Sequence, residues 1–221
     1  KGLSNLKSDK GTIVHKVLEI LANIKLGQQN NSASINDNIV GEISTKKYDI
    51  NKITNNIFGH YSKLYLHHDW SKIDLEDCIK WVDKAISLND GMFNPLKMNI
   101  VTSEPHFDIK IDKPWAAYKY LIGDSVLEGN LATKGTIDLV TDIGNGMYEI
   151  LDWKTGRRIN WATGEEKTHE KLQDDPQLRL YHYAASHLFP SINQIMVTIF
   201  YINDGGPFSI CFTKDDLPKT E

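Results

Sequence analysis

Two strand-like runs meeting at a glycine-rich turn constrain this chain more than any other feature. Residues 135 to 142 read GTIDLVTD and residues 147 to 154 read MYEILDWK, with Gly144-Asn145-Gly146 near the junction. Glycine and asparagine tolerate the positive φ that a tight hairpin turn requires, so the runs are expected to pair antiparallel. If those three residues form the loop, Ile143 faces Met147 and, counting back, position 138 faces position 152. Directly opposed residues share a face, with Cβ atoms about 5 Å apart. Asp138 and Asp152 would then stand side by side, with Lys154 on the same face two residues further on. A two-residue loop would pair 138 with 153 and send the carboxylates to opposite faces, so the arrangement depends on an odd loop.

Adjacent carboxylates repel each other unless a cation lies between them. Oxygen ligands of this kind suit Mg²⁺ or Mn²⁺, which activates water and neutralises charge growing on a phosphate. A neighbouring lysine can orient the attacking water or stabilise the transition state. Taken alone, the residues also fit a cross-strand Asp–Lys surface pair worth under roughly 1 kcal/mol.

The chain of 221 residues is long enough for one large domain or two small ones. Hydrophobic residues at 40% and charged residues at 24% are ordinary for a globular protein. No apolar run reaches membrane-spanning length, and no secretory signal is visible, so no membrane partner is expected. The chain begins with Lys1, which is compatible with a fragment of a longer protein. Cys78 and Cys211 cannot form a four-cysteine cluster, and a reducing, cytoplasmic setting is the simpler expectation. A net charge of -4 does not exclude nucleic acid, whose binding depends on a local basic face.

Along the chain, residues 11 to 26 place Val14, Val17, Leu18, Leu21 and Ile24 at helical spacing, with Ser8 and Asp9 as candidate caps. Residues 27 to 51 read as a polar loop. Helices are expected over 52 to 68 and 74 to 88, the second capped from Asp69 or Asp74. Residues 100 to 111 suggest a strand. A helix begins near 175, with Asp175 as cap and Pro176 in its first turn. Residues 195 to 202 and 208 to 213 read as strands around an Asp-Gly-Gly-Pro turn. This order predicts an α/β fold with a central mixed sheet flanked by helices and an N-terminal helical elaboration. The expected organisation is one domain over 1 to 221, with a helical part over 11 to 98 and a sheet core over 99 to 221.

Four short motifs bear on chemistry: His15 in GTIVHKVLE, Asp138 in GTID, Asp152 and Lys154 in ILDWKTG, and Gln177 with Tyr181 in QLRLY. In this order they resemble the PD-(D/E)XK nuclease superfamily and its RecB-like exonuclease branch. The LDWKT wording is also similar to mitochondrial genome maintenance exonucleases and their phage relatives. The resemblance covers residues 11 to 181 and implies a restriction-endonuclease-like core. It implies that His15, Asp138, Asp152 and the Trp153 backbone carbonyl bind one or two Mg²⁺ or Mn²⁺ ions, and that Lys154 is the catalytic lysine. Gln177 and Tyr181, four apart on one helix face, would support the site and contact nucleic acid. Many RecB-like nucleases carry a four-cysteine iron–sulfur cluster; with two cysteines, none is expected here. An intracellular or phage-encoded setting follows from the same relatives.

Other residues read two ways. Glu19, one turn after His15, suits a partner for the imidazole or a solvated helix position. Glu104 suits an approach to the site or an exposed strand end. Arg157, Arg158, Lys167 and Lys171, with Trp161 among them, suit phosphate contacts and base stacking or a solvated loop. Trp70, Trp81 and Trp115 read as core. The expected activity is divalent-metal-dependent DNA hydrolysis, exonucleolytic on single strands or ends, in repair, recombination or replication. Two rivals are a catalytically silent DNA-end-binding module of the same fold and an HD-type phosphohydrolase built on His67-His68-Asp69 and His60. The second would require an all-helical bundle.

Overall fold

A computed structural model describes residues 4–159 and 163–220. The first helix, α1 (Leu6–Gln29), starts earlier than the apolar spacing indicates. Asn5 caps it by accepting from the Ser8 N–H, so Ser8 and Asp9 lie inside the helix rather than capping it. The expected loop contains a small hairpin of β1 (Ser34–Asp37) and β2 (Gly41–Ser44). Its polar residues hide the strand signal; Ile35 and Ile43 are paired in register and supply its apolar contact with the core.

Helix α2 (Ile50–Leu64) is followed by α3 (Lys72–Gly91). Ser71 caps α3, and Asp74 closes a capping box from the third helical position, so neither Asp69 nor Asp74 is the cap itself. The backbone leaves helical geometry at Leu88–Asp90, as the apolar spacing indicates.

The single strand expected over 100 to 111 is two: β3 (Ile100–Ser103) and β4 (His106–Lys110). A hairpin of β5 (Ala117–Ile122) and β6 (Ser125–Asn130) follows, absent from the sequence reading because most of its residues are exposed and no burial alternation marks it. The run at 135 to 142 is also divided, into β7 (Ala132–Thr136) and β8 (Leu139–Asp142). Strand β9 (Met147–Lys154), helices α4 (His169–Gln173) and α5 (Pro176–Leu188), and strands β10 (Gln194–Tyr201) and β11 (Gly206–Thr213) complete the core. Asp175 caps α5 and Pro176 opens it, as expected.

The main sheet has the order β11-β10-β9-β8-β3. Strands β9 and β10 are parallel, joined through α4 and α5, and every other pair is antiparallel. This mixed sheet is sandwiched. On one face α1 packs Val14, Val17, Leu18 and Leu21 in one core with Leu139, Leu151 and Trp153. On the other, α5 brings Leu178, Ala184 and Ala185 into a core with Val140, Ile150 and Val197. The alternation Leu151-Asp152-Trp153 therefore puts the two large apolar residues under α1 and sends Asp152 toward α5. The result is an α/β, restriction-endonuclease-like fold with N-terminal helices. Among the described residues, no helix is long and apolar enough to cross a membrane. Trp70 and Trp81 pack against the core, but Trp115 is 60% exposed, contrary to its reading as core.

Candidate active site

The hairpin takes the three-residue loop. Gly144, Asn145 and Gly146 all have positive φ, and the Ile143 N–H donates to the Met147 carbonyl. Leu139 pairs with Leu151, which sets position 138 opposite position 152 one step beyond the ladder. At that level the chain breaks both between β3 and β4 and between β7 and β8. The Glu104 N–H donates to the Asp138 carbonyl, and the Ile137 N–H to the Pro105 carbonyl. Glu104 holds a φ of 51°, which L-residues adopt rarely and which functional sites tend to concentrate. The irregularity leaves Glu104 and Asp138 lining a cleft of about 690 Å³, with His15, Lys16, Glu19, Trp153 and Lys154.

Within the cleft, Asp138 Oδ2 accepts from the Trp153 N–H at 3.0 Å and lies 3.3 Å from His15 Nδ1. Asp152 sits behind it, 2% exposed. Its Oδ1 accepts from Lys154 Nζ at 2.9 Å and from the Tyr181 hydroxyl at 2.8 Å. Its Oδ2 lies 2.8 Å from the same ammonium, yet accepts no hydrogen bond of good geometry. Gln177 Nε2 donates to the Tyr181 oxygen at 3.1 Å, so one chain of contacts runs Gln177–Tyr181–Asp152–Lys154. Trp153 turns its ring into the α1 core, which leaves its backbone at the cleft.

The electrostatics are those of crowded acids. Burial raises the Asp138 carboxyl above the usual range; His15 opposes the rise and Asp152 adds to it. Burial, then the charges of Asp138 and Glu19, push Glu104 up to about 7. Burial and the Asp152 charge raise the Tyr181 phenol, which keeps it a donor to that carboxylate.

A raised carboxylate pKa means that the folded state holds its proton more tightly than the unfolded chain. That stability is present below the ordinary carboxylate range and is lost as pH rises through about 7. Glu104→Gln is therefore expected to stabilise the metal-free protein in EDTA at pH 8 by about 1–2 kcal/mol, discounted for solvent screening, and to do nothing at pH 4.5. Urea titrations at both pH values check this.

Helix α1 is seated on the strand end by Gly11, where an added Cβ would lie 2.5 Å from Thr155 Oγ1. Thr155 directly follows β9, so this contact sets how His15 approaches Asp138. Gly11→Val is expected to cost about 1–3 kcal/mol of stability by overpacking. It is also expected to lower any hydrolytic rate by about 10²-fold, since small misplacements of a reacting geometry have effects of that size. Denaturation and rate measurements on one preparation would show both.

Several sequence-predicted residues lie elsewhere or are otherwise engaged. Glu19 pairs with Lys16 at 2.8 Å, while the ion-pair contact of His15 is with Asp138. Arg158 is held in place: its N–H donates to Asp204, its guanidinium to the Lys167 carbonyl and Glu166, and it stacks over Phe208. Lys167 pairs with Asp175 and Lys171 with Glu165. Arg157 is exposed, and Trp161 lies outside the described residues. His68 pairs with Asp9, not Asp69, and the sheet core removes the HD-type reading. Cys78 is buried and Cys211 exposed, both as free thiols. Sequence reasoning missed Lys16, which lines the cleft and also contacts Asp37 across 21 positions of chain. Only the fold brings them together.

No curated protein matches the chain. Residues 3–209 match the family profile of the PD-(D/E)XK nuclease superfamily, a span that contains α1, α5, four of the five strands of the main sheet with the start of β11, and every residue of the cleft described above. The chain therefore belongs to the PD-(D/E)XK nuclease superfamily.

Proposed function

We propose that the chain is a divalent-metal-dependent deoxyribonuclease of the RecB-like branch, acting as an exonuclease on DNA single strands or ends in repair, recombination or replication. The observation that carries this reading is the convergence of His15, Glu104, Asp138 and the Asp152–Lys154 pair at one end of β9. The donor set fits a hard or borderline divalent cation. Three carboxylates crowd together, two with raised pKa, and a buried Asp152 oxygen lacks a hydrogen bond. His15, Asp138, Asp152 and the Trp153 carbonyl would hold Mg²⁺ or Mn²⁺, which supplies charge neutralisation at the phosphate and a more acidic water.

The chain's own groups divide the remaining work. Lys154 orients the attacking water and offsets charge on the phosphate, Tyr181 and Gln177 fix Asp152, and Lys7 and Lys16 give the cleft a cationic margin. Helices and sheet act as one nuclease domain, with the helical part over 11 to 98 delivering Lys16 and His15.

End-labelled single- and double-stranded DNA incubated with Mn²⁺, Mg²⁺ or EDTA tests the reading. Metal-dependent shortening of linear DNA, with covalently closed single-stranded circles left intact, is expected. Cleavage of the circles at the same rate would replace the exonuclease with an endonuclease. Binding to ends without any metal-dependent cleavage would leave the silent binding module.

A further inference from the structure

Away from the cleft, Asp9 meets His67 and His68, which lie in the connection between α2 and α3. Asp9 is 3% exposed, and its Oδ2 lies 2.7 Å from His68 Nε2 and 3.6 Å from His67 Nε2. One ligand atom from each residue lies within 4.8 Å of the other two, a spacing that could hold one metal ion. The Ser4 hydroxyl donates to the same Asp9 oxygen at 2.6 Å, and the Ser4 carbonyl lies 3.2 Å from His67 Nε2. The two imidazole rings are 4.0 Å apart. None of Asp9, His67 and His68 lines the catalytic cleft.

We infer that Asp9, His67 and His68 form a second metal site, structural rather than catalytic, for a borderline divalent transition ion such as Zn²⁺. A buried carboxylate needs a cation or several donors. Here one imidazole is within hydrogen-bonding distance of the Asp9 oxygen, while the second is aimed at it from beyond that range. Two imidazole nitrogens and one carboxylate oxygen are a donor set that zinc accepts, with a water or a Ser4 oxygen left for the fourth position. The cleft offers three carboxylates and a backbone carbonyl to one imidazole, whereas this cluster offers two imidazoles to one carboxylate, which separates the two sites by donor type. The site ties the first turns of α1 to the α2–α3 connection. Those turns carry Ser8, Thr12 and His15 into the cleft, so the metal fixes the helix that completes it.

The test is metal retention and does not depend on nuclease activity. Tag-free protein is loaded with Zn²⁺, desalted and assayed for bound metal, beside Asp138→Asn/Asp152→Asn, His67→Ala and His68→Ala. Wild type and the cleft variant are expected to keep about one zinc per chain, and both histidine variants to lose it. Co²⁺ substitution should give visible d–d bands in the first two proteins alone. Retention unchanged in His67→Ala, or no retention by wild type, would reduce the cluster to a hydrogen-bonded contact. If His68→Ala does not fold, the more exposed His67→Ala decides the matter by itself.

Discussion

Asp138→Asn is expected to abolish metal-dependent DNA cleavage, by about 10³-fold or more, and to make the metal-free protein more stable at pH 8. The two effects have one cause. The Asp138 carboxyl is raised by burial and by the charge of Asp152, with His15 only partly compensating. Its folded-state pKa lies above the unfolded value, so the stability it contributes is present at low pH and lost as pH rises. At pH 8 the carboxyl, ionised in the unfolded chain, opposes folding unless a cation binds, and the amide removes that penalty. Its side-chain oxygen can still accept from the Trp153 N–H, so the local fold is kept. In the proposed function Asp138 is a charged metal ligand, and losing it removes electrostatic stabilisation of the transition state, whose single elements commonly exceed 10²-fold. Rates with Mn²⁺ and urea titrations in EDTA at pH 5 and pH 8 measure both halves. Undiminished cleavage, or a variant less stable than wild type at pH 8, would refute the account.

How much of this was legible in the sequence depends on the range of the interactions involved. The hairpin register followed from three turn residues, because a loop of odd length forces position 138 opposite position 152. The N-terminus of α5 followed from Asp175-Pro176, a purely local signal. The breaks at Glu104 and Ile137-Asp138 were not legible. They arise where two strands change partners, from the β3–β8 ladder to the β4–β7 ladder, and no local residue preference encodes that exchange. Glu104 is the clearest case: its sequence neighbourhood fits an exposed strand end as well as an approach to the site, and only the exchange turns it into the cleft. The exposed β5–β6 hairpin escaped for the opposite reason, since without burial on one face there is no alternation to read. Asp9 looked like a cap because its partners His67 and His68 are separated from it by 58 and 59 positions.

Lys154→Ala is expected to lower the cleavage rate by about 10²–10⁴-fold while DNA binding, measured with Ca²⁺ in place of a productive ion, changes by less than about 3-fold. The ammonium contacts both oxygens of a nearly buried carboxylate and also lines the cleft. A lysine serving only as a surface partner for Asp152 would contribute under roughly 1 kcal/mol of stability and nothing to the rate. Lys154→Arg keeps the charge but replaces a compact ammonium with a planar fork, and should stay at least about 10-fold below wild type. The sharper discriminator is the double variant. If Asp152 and Lys154 act as one unit, Asp152→Asn/Lys154→Ala should be no slower than Asp152→Asn alone, because the second substitution removes a contribution already lost. Losses that multiply would mean that the lysine acts independently of the carboxylate it contacts, and that Tyr181, which also donates to Asp152, positions a group unconnected with the lysine's task.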